Sequence, residues 1–180
     1  HCGVPIDVGT VGRVVVLSPT SAVGPDAIVV RTALVLGRHV DDAVLRRFAG
    51  ALTVDVDGSA DEPLQVVHAH DVERVLVQAL LDPDVPAGPV DVVADGHTSV
   101  RAIAAAVGRP IVGIPWPLRR VIPRPARRDV ATLDPTRLRE DWGFTPAFDV
   151  AKTVEDFALA CRGRITVGDA VHDIPWRLPR

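Results

Sequence analysis

The sequence contains no tyrosine and no methionine, and only two cysteines and 4% aromatic residues among its 180 positions. Its one lysine is Lys152. Without tyrosine, no proton transfer through a phenol can run on these residues alone. Cys2 and Cys161 are too few for a disulfide framework, and their spacing has no metal-ligand logic, so a reducing, cytoplasmic setting is the expectation. A chain without methionine that opens on His1 is expected to be a fragment or trimmed form of a longer polypeptide. No apolar run approaches the ~20 residues of a membrane-spanning helix, and no signal-peptide pattern opens the chain. A net charge of −3 gives no general attraction for nucleic acid or an anionic membrane, and neither is expected as a partner. The G-x-S-x-G turn of a hydrolase nucleophile is absent as well.

Hydrophobic residues make up 47% of the chain, enough for a core, and the scarcity of aromatics makes that core aliphatic. The length fits one domain, or one and a fragment. Arg13 to Leu17 (RVVVL) and Ala27 to Leu36 (AIVVRTALVL) are continuous apolar, β-branched runs, the pattern of strands covered on both faces. The loop Ser18 to Pro25 between them is shorter than the dozen or more residues of a parallel crossover. Either the two strands are not parallel neighbours or the crossover element has been lost. Asp41 to Phe48 reads as a short helix, with acids at its start and arginines near its end. Leu52 to Val56 alternates like a strand. Leu64 to Val67 is a short strand leading into His68-Ala69-His70-Asp71, after which Val72, Val75, Leu76, Ala79 and Leu80 fall on one helical face. Strands are expected at Val90 to Val93 and at Ile111 to Ile114. Helices are expected from Thr98 or Ser99 to Val107, from Asp134-Pro135 to about Asp141, and from Asp149 through Cys161. The Pro-rich, basic end of the chain, Asp173 to Arg180, reads as a linker.

Four groups of residues are candidates for a site, each with a plainer structural alternative. His68 and Asp71 either line a cleft and hold a substrate, or bridge backbone at the strand end and cap the following helix. As metal ligands, His68, His70 and Asp71 lack a distant partner of suitable spacing, and no metal is expected. Thr20 and Ser18 follow a strand, where a doubly wound sheet places its ligands; a turn hydroxyl bonded to backbone is the alternative. Trp116, between prolines, is placed to stack on a base or sugar, whereas Trp142 has Phe144 and Phe148 nearby and reads as core. Five arginines (Arg119, Arg120, Arg124, Arg127, Arg128) lie among prolines in 115–128, as a phosphate-binding set or as a solvated loop.

Three segments, in order, resemble the C-terminal half of an extended short-chain dehydrogenase/reductase of the NAD-dependent epimerase/dehydratase type. VVRTALVLG (29–37) resembles the family's L-R-P-x-N-V-Y-G, QVVHAHDV (65–72) its D-F-V-H-V-x-D-V, and LDPTRLREDWGFTP (133–146) its D-x-S-[KR]-x-x-x-x-L-G-[WF]-x-P. RVVVLSPTSAVG (13–24) resembles the strand and loop carrying the family's catalytic Ser/Thr; Pro19 occupies that position and Thr20 is one residue off. The resemblance implies NAD or NADP as cofactor, with Thr20 as a cofactor contact, and a nucleotide-sugar substrate. It implies a diphosphate contact at Arg124, with Arg127 and Arg128 as neighbours; His68 and Trp116 complete the expected substrate side. The chain departs from the family beyond Pro19 as well, with Leu64 where an Arg often precedes D-F-V-H. It has no Gly-rich dinucleotide turn and no Tyr-x-x-x-Lys pair, and Leu34 stands where the strand-end motif has Asn.

The expected fold is therefore α/β: a partial Rossmann-like parallel sheet (about 13–82) with a small α+β C-terminal substrate cap (about 83–162), then a tail at 163–180. The expected function is that of a segment of an NAD(P)-dependent nucleotide-sugar epimerase/dehydratase-like protein. It contributes the cap, is not catalytically competent alone, supplies no catalytic residue and does not hold the dinucleotide tightly by itself. The alternative is a degenerate, non-catalytic reductase-like domain that binds a ligand or partner, or positions a fused domain.

Overall fold

The computed structural model describes residues 14–17, 26–37, 54–55, 60–112, 132–161, 164–167 and 170–173. In chain order the elements are β1 (Val15–Leu17), β2 (Ile28–Thr32), β3 (Leu34–Leu36), β4 (Val54–Asp55), β5 (Val66–His68), α1 (Ala69–Leu81), β6 (Gly88–Val92), α2 (Val100–Val107), β7 (Ile111–Val112), α3 (Thr136–Glu140), α4 (Val150–Cys161), β8 (Arg164–Val167) and β9 (Ala170–Asp173). The architecture is α/β. β1, β2 and β6 form a parallel sheet in that order, β3 pairs with β5 and β4 with β7, both also parallel, and β8 with β9 makes an antiparallel hairpin. No helix among the described residues is long and apolar enough to cross a membrane.

The apolar run 27–36 is not one strand. It pairs with β6 as far as Thr32, opposite Val92, and then parts from it at Ala33. β5 enters the gap: the Gln65 carbonyl accepts from Leu34 N–H on one side, and the Val66 carbonyl accepts from Ala94 N–H on the other. Consecutive carbonyls of a strand point to opposite edges, so β5 is a wedge that joins its pairing with β3 to the end of the β1–β2–β6 sheet. β1 and β2 are parallel neighbours, in register Val15↔Ile28. The short connection suffices because a three-residue strand rises only ~10 Å, whereas residues 18–27, extended, reach about 33 Å.

Alternate residues of β5 serve two cores. Val67 faces one with Val72, Val75 and Ala79 of α1 and with Leu138, Trp142 and Phe144 from the segment around α3. Val66 faces the other, with Ile103, Ala104 and Val107 of α2 and Val154, Phe157 and Ala158 of α4. Helices thus cover both faces, as parallel sheets require. The caps follow the sequence signals. Ser99 Oγ accepts from Ala102 N–H at the start of α2, Gly108 ends that helix at φ 77°, and Asp149 Oδ1 accepts from Lys152 N–H at the start of α4. α3 is one turn, with Asp134 Oδ1 accepting from Thr136 N–H and Oγ1–H just ahead of it.

Three features differ from the sequence expectations. The 88–92 strand, expected in the cap, pairs with β2. Residues 164–173, for which no element is expected, include the β8–β9 hairpin. Asp71 lies inside α1, whose N-cap is His68. The expected helix 41–48 lies outside the described residues.

Candidate functional site

The parallel strands deliver their C-terminal ends to one side, and β5 ends there at His68, opposite Leu36 of β3. The His68 side chain is used on every side. Its Nδ1 accepts the His70 N–H at 3.1 Å, capping α1. An acceptor nitrogen carries no hydrogen, so the ring hydrogen sits on Nε2, which donates to Asp156 Oδ2 of α4 at 3.1 Å. The Phe148 ring stacks on the imidazole, with centroids 3.8 Å apart and planes within 9°. His68 is buried, and both ring nitrogens are engaged within the chain.

Three residues on, Asp71 is fully buried, and its carboxylate does not cap the helix. Oδ1 accepts from Ala147 N–H (2.9 Å) and from an Arg74 Nη1 hydrogen (2.9 Å), and Oδ2 accepts from Phe148 N–H (3.1 Å). A capping Asp would have been spent on its own helix; this one holds a loop 76–77 residues downstream. Arg74 also donates to the Thr145 carbonyl, and its guanidinium lies 4.7 Å from the centroid of the Phe144 ring.

The same pattern continues along 133–148. Gln65 and Leu133 exchange two bonds: Gln65 Nε2 donates to the Leu133 carbonyl (2.9 Å) and Leu133 N–H donates to Gln65 Oε1 (2.8 Å). Buried Asp91 of β6 accepts from Asp134 N–H (3.0 Å) and from Arg31 Nε of β2 (2.5 Å). Arg137 donates to the carbonyls of Pro89 and Ala87, Arg139 pairs with Asp95, and Gln78 donates to the Trp142 carbonyl. The segments 64–78 and 133–148, far apart in sequence, are therefore the two sides of one joint. Trp142 is buried within it, with no partner for its indole N–H among the described residues.

Two carboxyls are shifted by their hydrogen bonds. Asp134 is held below the usual carboxylate range, first by the Thr136 hydroxyl, then by the Thr136 N–H, with the Arg139 charge adding a little. Asp61, outside the joint, is lowered chiefly by its hydrogen bond from Arg101.

Of the residues singled out in the sequence, the structure brings His68, His70 and Asp71 into this joint. Thr20, Ser18, Trp116, Arg119, Arg120, Arg124, Arg127 and Arg128 lie outside the described residues. Sequence reasoning missed Gln65, Asp91, Phe148 and Asp156. The available signal was a charge inside an apolar pattern: Asp91 sits in a β-branched run, and Asp156 sits next to the buried face of α4. Among the described residues, no three His, Cys, Asp or Glu side chains converge on a point that could hold a metal ion. A groove of about 540 Å³ runs along the outer side of α1, between Arg74, Gln78, Leu81 and Phe144.

The described residues do not fit the diphosphate of a dinucleotide. That group is usually held by free N–H groups at a helix N-terminus behind a Gly-rich turn. Here the N-termini of α1, α2 and α4 are each capped by a side chain of the chain itself, from His68, Ser99 and Asp149, and the one-turn α3 has the Asp134 carboxylate just ahead of it. Lys152 is exposed on α4, with its Nζ 3.9 Å from Asp149.

No family model matches the chain. Uncharacterized proteins of Mycobacterium tuberculosis and Mycobacterium bovis are each 45% identical to it over 159 residues, 86% of this chain. The chain spans 18% of the length of either relative. Among solved structures, the fold is similar to UDP-glucuronic acid 4-epimerase from Bacillus cereus, in complex with UDP-4-deoxy-4-fluoro-glucuronic acid and NAD. The TM-score is 0.59 at 12% identity, covering 76% of this chain and 45% of that one. It is also similar to dTDP-glucose 4,6-dehydratase from Bacillus anthracis in complex with NAD, with a TM-score of 0.57 at 10% identity over 76% of this chain and 45% of that one. At such identities the likeness is one of fold.

Proposed function

We propose that the chain is part of an NAD(P)-dependent, nucleotide-sugar epimerase/dehydratase-like domain within a longer polypeptide. In this reading it supplies the far half of the sheet and the joint that seats the substrate side, while the dinucleotide site and the proton-transfer group come from elsewhere. The observation that carries the reading is the contact between QVVHAHDV and LDPTRLREDWGFTP. Two segments chosen for their likeness to one family interlock through Gln65–Leu133, Asp71–Phe148 and Arg74–Thr145. Solved enzymes of the same fold, named for UDP- and dTDP-sugars and bound to NAD, add support. In this reading His68 is a positioning residue for the substrate side, and Arg124 and Arg127 are the candidates for contacts to a sugar nucleotide's diphosphate.

Calorimetry on the longer polypeptide tests the reading. Micromolar binding of NAD or NADP is the expected result, and a folded polypeptide that binds neither sinks it. The purified 180-residue chain is expected to show no epimerase or dehydratase turnover. A second reading, a degenerate domain that binds a partner without chemistry, is favoured by the absence of tyrosine and by the exposed position of the one lysine. The same titration separates the two.

A further inference from the structure

We infer, independently of the reading above, that the outward face of α1 is an interaction surface for a second copy of this chain, the two helices packing antiparallel about a two-fold axis. α1 carries two stripes. One, through Val72, Val75 and Ala79, is buried in the core. The other, Arg74, Val77, Gln78 and Leu81, repeats at i, i+3, i+4 and i+7, the spacing by which one helix face meets another. This second stripe lines the groove of about 540 Å³, with Phe144 on the groove's far side. Val77 and Leu80 are more than half exposed, and Leu81 is 76% exposed. A single exposed apolar side chain is ordinary on a protein surface. Three within five residues, beside a groove, form a contiguous patch of the kind that marks a contact site.

The occupant follows from charge and symmetry. Arg74 stands at the N-terminal end of the stripe, and the acids Asp82 and Asp84 follow its C-terminal end. A parallel copy would set cation against cation. An antiparallel copy matches the stripe to itself: with the two Ala79 residues level, Val77 of each chain meets Leu81 of the other, and Arg74 comes to the other chain's acidic turn at 82–84. Such an isologous contact uses one patch twice, so each favourable pair is made two times. Arg74 is prepared for the role. Its hydrogen bonds to Asp71 and to the Thr145 carbonyl both use Nη1, which leaves the Nε and Nη2 hydrogens for an acceptor on another chain. The buried Asp71 and the Phe144 ring hold the guanidinium in place. Exposed ion pairs add little affinity and chiefly set the register, so the Val77–Leu81 contacts hold the two copies together. Two turns of helix from each chain fall short of the ~1,000 Å² expected of a stable complex, which makes the dimer weak and concentration-dependent.

Sedimentation velocity of the 180-residue chain, from low micromolar to submillimolar concentration, is the test, with Leu81→Lys, Leu81→Ala and Asp84→Lys run beside the parent. The parent is expected to show a monomer–dimer equilibrium. Leu81→Lys is expected to raise its dissociation constant about 100-fold or more, since two buried leucines are lost per dimer. A cation suits the C-terminal end of a helix, so this variant keeps its monomer fold, and circular dichroism checks that it does. Leu81→Ala, which adds no charge, is expected to weaken the dimer in the same direction. Asp84→Lys sets a like charge against Arg74 and is expected to cost about 10-fold, part of which added salt restores. A parent that stays monomeric throughout overturns the inference. A dimer that both Leu81 variants leave intact also overturns it and places the contact on another face of the chain. A dimer weakened at Leu81 but indifferent to Asp84→Lys and to salt overturns the antiparallel register.

Discussion

The carboxylate of Asp71, on the first turn of α1, receives the backbone N–H of Phe148, 77 residues later, at 3.1 Å. The neighbouring Ala147 N–H and the Arg74 guanidinium complete a set of three donors around a side chain with no solvent exposure. Replacing Asp71 by Ala leaves the two amides without their acceptor, and is expected to cost about 1–3 kcal/mol for each buried donor left unsatisfied, while the half-exposed Arg74 turns to solvent. Asp71→Asn is expected to fare little better. Its NH₂ group must face one of the three donors, so one repulsive contact replaces one bond. Urea denaturation of both variants checks this. An Asn variant as stable as the parent would show that the carboxylate charge is not what holds the loop.

His68 couples the same loop to α4, and its contributions can be separated. His68→Asn retains an acceptor suited to the N-cap, whereas His68→Ala does not. The Ala variant is expected to be less stable than the Asn variant by about 1 kcal/mol. The stack on Phe148 should appear as coupling in a double-mutant cycle of His68→Asn with Phe148→Ala, of about 0.5–1.5 kcal/mol. A coupling of zero would mean that the 3.8 Å ring contact contributes nothing beyond burial.

What the sequence made legible is what local physics controls. The apolar face of α4, the Ser99 and Asp149 caps and the Gly108 stop are settled within a turn or two of chain and are found, as is the α1 face at Val72, Val75 and Ala79; Leu80, which the helical spacing puts on that face, is exposed at the end of the helix instead. The split of 27–36 at Ala33 is not local. It exists because β5 enters between β3 and Ala94, and a run of β-branched residues reads the same whether it has one partner or two in succession. Asp71 was misleading for a related reason. An acid ahead of an apolar-periodic helix usually caps it, and nothing within the helix reveals that amides 76–77 residues away will claim the carboxylate. Of the joint, the sequence shows His68 and the two motifs but not their contact, because Gln65, Asp91 and Asp156 act only through partners distant in the chain.

Gly88 illustrates how tightly the far side of the joint is fitted. It opens β6 at φ +109°, and a Cβ placed there would lie 2.8 Å from Arg137 Nη1. Gly88→Ala therefore carries two penalties, a backbone conformation that L-residues rarely adopt and a collision with the side chain that binds the Pro89 and Ala87 carbonyls. A loss of about 1–3 kcal/mol is expected from the backbone alone. Adding Arg137→Ala removes the collision and leaves the backbone strain. The double variant should thus be less destabilised than the sum of the two single ones. Simple additivity, measured by thermal or urea unfolding, would show that Arg137 moves aside freely and that only the φ angle matters.

Acid should loosen the joint from its Asp134 end. The carboxyl of Asp134 is held below the usual carboxylate range, first by the Thr136 hydroxyl and then by the Thr136 N–H. A group whose folded pKa is depressed contributes stability that is fully present above its unfolded value, and loses it as pH falls through the folded value. The contribution is thus intact at neutral pH and disappears in the acid range below the ordinary aspartate pKa. Thr136→Val keeps the shape and the N–H but deletes the hydroxyl, the largest cause of the shift. Stability of the variant should fall less steeply between neutral pH and the acid limb than that of the parent, and the two curves should converge at the lowest pH, where Asp134 is protonated in both. Asp61 shifts in the same direction, but its cause is Arg101, so its share is unchanged by Thr136→Val and is weakened by salt instead. Parallel pH profiles for parent and variant at constant ionic strength would place the acid sensitivity of the fold elsewhere than at the Asp134–Thr136 turn.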